Sequence, residues 1–122
     1  MTLDSNIVIA YLGGDESVIE TLLHWKEEGR ILFLPAVVET EVLSFSNFTP
    51  SEKHYTEEFL ESLNFVAMDR NIARVAADLR RSTKIKFPDA TVAATALATH
   101  TPIVTRNLRD FKKIPGLTVI EI

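Results

Sequence analysis

The segment Ile31-Leu32-Phe33-Leu34 restricts what this chain can fold into more than any other. Four consecutive apolar side chains without polar alternation, bounded by Arg30 and Pro35, describe a strand buried on both faces, and such strands belong to sheets covered on both sides. A sheet covered twice needs helices between its strands. The chain supplies them. Helical periodicity places Ile7, Val8, Tyr11 and Leu12 on one face of a helix over Ser5–Leu12, which Gly13-Gly14 ends. A second helix runs from Ser17, its N-cap, to Glu28, with Val18, Leu22, Leu23 and Trp25 inward and Gly29 as terminator. Pro35 leads into a helix over Ala36–Phe45, and Ser46–Pro50 reads as a loop. A helix from Ser51 carries Tyr55, Phe59, Leu60 and Leu63 on one face. Ile72, Val75, Ala76 and Leu79 mark another that continues to about Lys84, and Pro88 opens an Ala-rich helix to His100.

Between these helices, Thr2–Leu3, Asn64–Met68, Pro102–Thr105 and Leu117–Ile122 read as strands, with a helical turn at Leu108–Phe111. The expectation is an α/β protein, three-layered α/β/α, with a central, mostly parallel sheet of about five strands. At 122 residues, with 46% apolar and 25% charged side chains, residues 1–122 form one domain. No apolar stretch is long enough to span a bilayer and no basic leader opens the chain, which points to a cytoplasmic protein without a membrane partner. The absence of cysteine excludes disulfides, thiolate metal sites and cysteine nucleophiles.

The net charge of −4 argues against bulk electrostatic attachment to nucleic acid. It conceals a division: residues 1–61 hold three basic and twelve acidic side chains, residues 62–122 ten basic and five acidic. A basic face built from the second half could hold a phosphate backbone, although charge runs commonly form nothing more than solvated surface.

Four carboxylates stand where an open α/β sheet places its chemistry, beyond the carboxyl ends of the strands. Asp4 follows the first strand and precedes a helix, a position that an N-cap would also explain. Glu41 shares a helical stripe with Val37, Val38, Val42 and Phe45, so it is expected toward the interior, where a carboxylate needs a partner or a metal. Glu39 turns away as its solvated neighbour. Asp89 lies in the first turn of the Ala-rich helix, where the helix dipole alone could account for it. Asp110 follows the strand ending at Thr105, within Thr105-Arg106-Asn107-Leu108-Arg109-Asp110-Phe111. Singly each has an ordinary structural explanation. Together they converge on one sheet edge, where mutual repulsion calls for a hard divalent cation such as Mg2+. Such an ion can polarise a phosphodiester and activate water without a protein nucleophile. Thr105 and Asn107 are short polar residues suited to orienting the ligands.

At these residues the chain resembles the PIN-domain nucleases, and among them the VapC-type toxins of type II toxin–antitoxin pairs. The resemblance rests on Leu3-Asp4-Ser5-Asn6, on Glu41 followed by Val42-Leu43, on Pro88-Asp89-Ala90 running into Val92-Ala93-Ala94-Thr95-Ala96, and on Ile103-Val104-Thr105-Arg106-Asn107 with Asp110-Phe111. It implies RNA hydrolysis by metal-activated water, with Mg2+ or Mn2+ held by Asp4, Glu41 and Asp89. The fourth acidic place is shared between Asp110, taken as the fourth group, and Asn107, which stands where some members carry an acid. Ser5 replaces the family's common Thr and keeps its hydroxyl; Ser5, Asn6, Thr105 and Asn107 are the supporting set. The toxin subgroup further implies a homodimer, RNA targets such as tRNA, and a small antitoxin whose basic tail covers the acids. Arg106, Arg109, Lys112 and Lys113, with Arg80, Arg81, Lys84 and Lys86, are the expected contacts to the RNA backbone, since such contacts position a substrate without reading its sequence. Competing readings are a PIN nuclease of RNA processing, a PIN fold serving only as a binding module, and a phospho-receiver domain. The receiver needs paired acids after its first strand, where this chain has Ser5 beside Asp4.

Overall fold

The computed structural model describes all of residues 1–122, and in it Leu3, Leu34, Ile103 and Val104 are completely buried at the centre of a parallel sheet. The elements are β1 (Thr2–Leu3), α1 (Ser5–Leu12), α2 (Glu16–Glu27), β2 (Phe33–Pro35), α3 (Ala36–Leu43), α4 (Pro50–Glu61), β3 (Asn64–Val66), α5 (Arg70–Thr83), α6 (Phe87–Thr99), β4 (Ile103–Val104), α7 (Leu108–Phe111) and β5 (Val119–Ile120). The five strands lie in the order β3-β2-β1-β4-β5 and every pair is parallel, as the alternation of strand and helix requires. Right-handed crossovers then set α1 to α4 on one face, and α5 to α7 on the other, because the chain reverses its direction across the sheet after β3. Most of the helix packing runs within these groups, α1 on α2 and α3, α3 on α4, α5 on α6 and α6 on α7, while α3 also touches α6. A single cluster of 25 buried apolar residues joins both faces. No helix is long and apolar enough to cross a membrane.

The strand that defines the fold class starts two residues later, and ends one residue later, than its hydropathy suggests. Ile31 is 52% exposed and lies outside the sheet, whereas Leu32, Leu34 and Pro35 are buried. Backbone pairing decides the register: the Phe33 N–H donates to the Met1 carbonyl at 2.7 Å, and the Met1 ammonium donates to the Ile31 carbonyl at 2.7 Å. Helix starts are likewise set by the stronger cap. Asp15, not Ser17, caps α2, with its Oδ1 accepting from the Val18 N–H at 3.3 Å and from the Ser17 hydroxyl at 2.9 Å. Pro50 belongs to α4 rather than the loop, behind a capping box in which Thr49 and Glu52 exchange hydrogen bonds of 3.0 and 3.1 Å. Leu23 and Tyr55 face solvent, and α3 stops at Leu43, two residues short of the length expected.

Candidate active site

The strand order turns back at β1, whose neighbours β2 and β4 lead away in opposite directions, and the crevice at such a switch point is where an open α/β sheet holds its ligands. Asp4 occupies that crevice. It leaves β1 with its N–H bonded to the Val104 carbonyl at 3.0 Å and is only 5% exposed. Its Oδ1 accepts from the Ser5 N–H at 2.8 Å; its Oδ2 accepts from the fully buried Thr105 hydroxyl at 2.7 Å and from the Asn6 amide at 3.2 Å. Capping α1 and standing in the site are therefore one position, not alternatives. Burial raises the Asp4 carboxyl above the usual range; hydrogen bonds from Thr105, Ser5 and Asn6 act against this, and the charge of Glu41 adds to it.

Asp89 enters from the first turn of α6, half-buried, with its carboxyl pushed up to about 6. Burial is the largest cause, followed by the charges of Asp4, Asp110 and Glu41, while Lys86 pulls the other way. That all three other acids act on Asp89 reports their convergence. Glu41 comes from α3 and accepts from the Ser5 hydroxyl at 2.5 Å. Its side chain is exposed rather than interior, because the short α3 buries only the stripe through Val38 and Val42, with Glu41 on its flank and Phe45 beyond its end. Glu39, expected in solvent, is the half-buried one of the pair. Asp110, on α7, accepts from the Asn107 amide at 3.0 Å, and the Asn107 N–H donates to the Thr105 hydroxyl at 3.0 Å. Asp110 and Asn107 thus act as a pair.

No Lys, Arg or His nitrogen lies within 4.0 Å of the Asp4, Glu41 or Asp89 carboxylates; Asp110 has only Lys113, at 3.9 Å. The cluster is short of positive charge, and its donors are all hard oxygens. No three of its side chains stand together as ligands of one ion, so the set of Asp4, Glu41 and Asp89 expected from the sequence is not assembled around a single point. At most two carboxylates could ligate an ion directly here.

The expected backbone contacts divide. Arg109, Lys112, Lys84 and Lys86 are exposed, and Lys84 ends α5 in the left-handed conformation at φ 58°. Arg81 pairs with Asp78. Arg106 is spoken for: its Nη2 meets Asp15 Oδ2 at 2.7 Å, its Nε donates to the Ile122 carbonyl at 3.1 Å, and its backbone N–H donates to Asn6 Oδ1 at 3.1 Å. Arg106 therefore ties the loop carrying Thr105 and Asn107 to the start of α2. Asp15 was missed in the sequence because its local role as a helix cap gives no sign of a partner 91 residues away.

A family model for the PIN domain matches residues 1–117. The chain belongs to the PIN-domain family. Known structures resemble this PIN domain over almost its whole length. One is VapBC2 from Rickettsia felis bound to a DNA fragment from its promoter, with 21% identity, a TM-score of 0.87 and coverage of 99% of this chain and 97% of that one. Another is a toxin–antitoxin complex from Klebsiella pneumoniae, at 28%, 0.84, 99% and 98% respectively. A third is DNA-bound VapBC from Salmonella typhimurium, at 20%, 0.85, 98% and 96%. No curated protein sequence matches the chain. The PIN assignment and the parallel five-stranded sheet bear out the family and fold expected from the sequence.

Proposed function

We propose that this PIN domain is a Mg2+- or Mn2+-dependent endoribonuclease, the toxin of a cytoplasmic toxin–antitoxin pair. The observation that carries the reading is the convergence of Asp4, Glu41, Asp89 and Asp110 at the sheet's switch point, with the charges of the other three helping to push Asp89 up to about 6 against the weaker opposing charge of Lys86. Asp4 and Asp89 would hold the ion, with Glu41 and Asp110 reaching it through its waters. When bound, the ion polarises the phosphodiester and makes its water a nucleophile near neutral pH. The protein's part is alignment. Thr105, Ser5 and Asn6 fix both oxygens of Asp4, the Ser5 hydroxyl holds Glu41, and the Asn107 amide holds Asp110. Arg109, Lys112, Lys84 and Lys86 are exposed and suited to the RNA backbone, tRNA included.

A partner is supported by the surface beside Glu41. Ile9, Leu12, Val42, Phe45, Phe48 and Tyr55 line an apolar groove of about 580 Å³ with Glu41 and Glu52 on its rim. An amphipathic segment with basic residues would cover the apolar floor and meet these acids, and the resembling Klebsiella structure is a toxin–antitoxin complex. A homodimer is part of the same proposal. Purified protein should cleave single-stranded RNA with Mg2+ or Mn2+ and lose this activity in EDTA and in Asp4→Asn and Asp89→Asn; cleavage that survives these changes would overturn the site. Expression should arrest growth, relieved by a small protein encoded beside the gene. RNA cleavage without arrest would move the protein to RNA processing and refute the toxin role alone.

A further inference from the structure

Eight large hydrophobic side chains are exposed, and they sort by place. Ile9, Phe45 and Tyr55 line the apolar groove. Leu23, Ile31, Phe65 and Met68 belong to α2, the approach to β2 and the β3 edge. Phe87 belongs to neither set. It is 51% exposed at the first position of α6, two residues before Asp89, and its surroundings are cationic. The Arg80 guanidinium lies 6.0 Å from its ring centre, steadied by a 3.4 Å hydrogen bond from Nε to the Ile85 carbonyl. Lys84 and Lys86 are exposed on the turn between α5 and α6, on either side of Ile85, which is buried and anchors that turn. Lys86 is close enough to Asp89 for its charge to oppose the rise of that carboxyl.

A single exposed ring is ordinary on a protein surface; what sets this one apart is the guanidinium held over it. A protein-facing apolar patch would be ringed by other apolar side chains; this ring has Arg80 beside it, and Lys84 and Lys86 lie exposed on the turn that leads to it. Aromatic planes interleaved with cations are what unpaired nucleic acid requires, a face for the base and charges for the adjoining phosphates. The guanidinium adds a second plane of its own. Around α6, successive residues turn by about 100°, so Phe87 and Asp89 point to nearly opposite sides of the helix's first turn. A base resting on Phe87 is therefore not the one whose phosphate reaches the acids.

We propose that Phe87 and Arg80 form a stacking platform for an unpaired base next to the scissile bond, with Lys84 and Lys86 holding its phosphates. This rests on the RNA-cleaving reading above and gives that site its demand for single-stranded substrate. The test measures binding, separately from cleavage. Full-length protein in EDTA is titrated into a short single-stranded RNA carrying 2-aminopurine, whose fluorescence falls when the base stacks. Phe87→Ala should weaken binding by about 5- to 100-fold, the range set by losing one stacked base, and abolish the quenching; Phe87→Trp should retain both. Phe65→Ala removes an equally exposed ring on the far edge strand and should change neither. Unchanged affinity and quenching in Phe87→Ala would overturn the platform even where the native protein still cleaves RNA with Mg2+. Loss of a homodimer in Phe87→Ala, seen by analytical ultracentrifugation, would also overturn it, since the ring would then be covered by a second copy. Loss of cleavage in the native protein with stacking intact would instead count against the hydrolytic reading alone.

Discussion

Replacing Asp89 by Asn should make the metal-free protein more stable at neutral pH. The carboxyl titrates at about 6 in the fold against 3.8 ordinarily, and each unit is worth about 1.4 kcal/mol, so the unfavourable charge costs at most about 3 kcal/mol. Asp89 is half-buried, and water and salt screen part of that, leaving about 1–2 kcal/mol. Asn also gives up the favourable interaction of a carboxylate with the α6 N-terminus, about 0.5 kcal/mol. A net gain of about 1 kcal/mol remains. The sign follows from proton binding. A carboxyl with a raised folded value holds its proton more tightly in the native state, so its contribution is present below about 3.8 and is lost as the pH rises through about 6. Urea unfolding in EDTA at pH 7.5 should show Asp89→Asn ahead of the native protein, with the difference fading by pH 4. Millimolar Mg2+ should then stabilise the native protein and leave the variant behind, because an ion that binds only the folded state adds its binding energy to stability. If the Asn variant is no more stable than the native protein in EDTA at pH 7.5, the burial and crowding of charge argued for Asp89 do not carry the energy assigned to them.

Thr105→Val should cost about 1–3 kcal/mol of stability and most of the RNase activity, since it leaves the buried Asp4 Oδ2 without its shortest hydrogen bond; thermal melts and initial rates would check both. Arg106→Ala and Asp15→Asn should slow turnover by similar factors, and the double variant should be no slower than either one; additive losses, or a rise in KM confined to Arg106→Ala, would return Arg106 to the RNA backbone. His100 ends α6 at φ 55°, a conformation that costs a residue with a Cβ, so His100→Gly should raise stability by about 0.5–1 kcal/mol in urea unfolding, and a loss would mean that the imidazole makes a contact worth more than this strain.

The architecture was largely legible in the sequence because it depends on local pattern. The unbroken Ile31–Leu34 run demanded a covered sheet, the alternation of runs and 3.6-residue stripes demanded parallel strands, and both hold even though the strand itself is displaced to Phe33–Pro35. Asp4, Asp89 and the Asn107–Asp110 segment could also be located, since the position after a strand or at the start of a helix is a property of the chain alone. Glu41 was placed on the right element but the wrong surface. Its exposure depends on where α3 stops and on what α1 presents to it, neither of which periodicity encodes.

What only the tertiary structure decided is which distant residues meet. The sequence identifies Thr105 as polar and Asp15 as a helix cap, but the bonds Thr105 to Asp4 and Arg106 to Asp15 span 101 and 91 residues and exist because β4 lies beside β1. The raised carboxyl of Asp89 has the same origin. Burial and the charges of three acids from three other segments create it, and those are sums over space that no local pattern contains. Sequence set the elements and their chemical content; the reversal of strand order at β1 turned scattered carboxylates into one site.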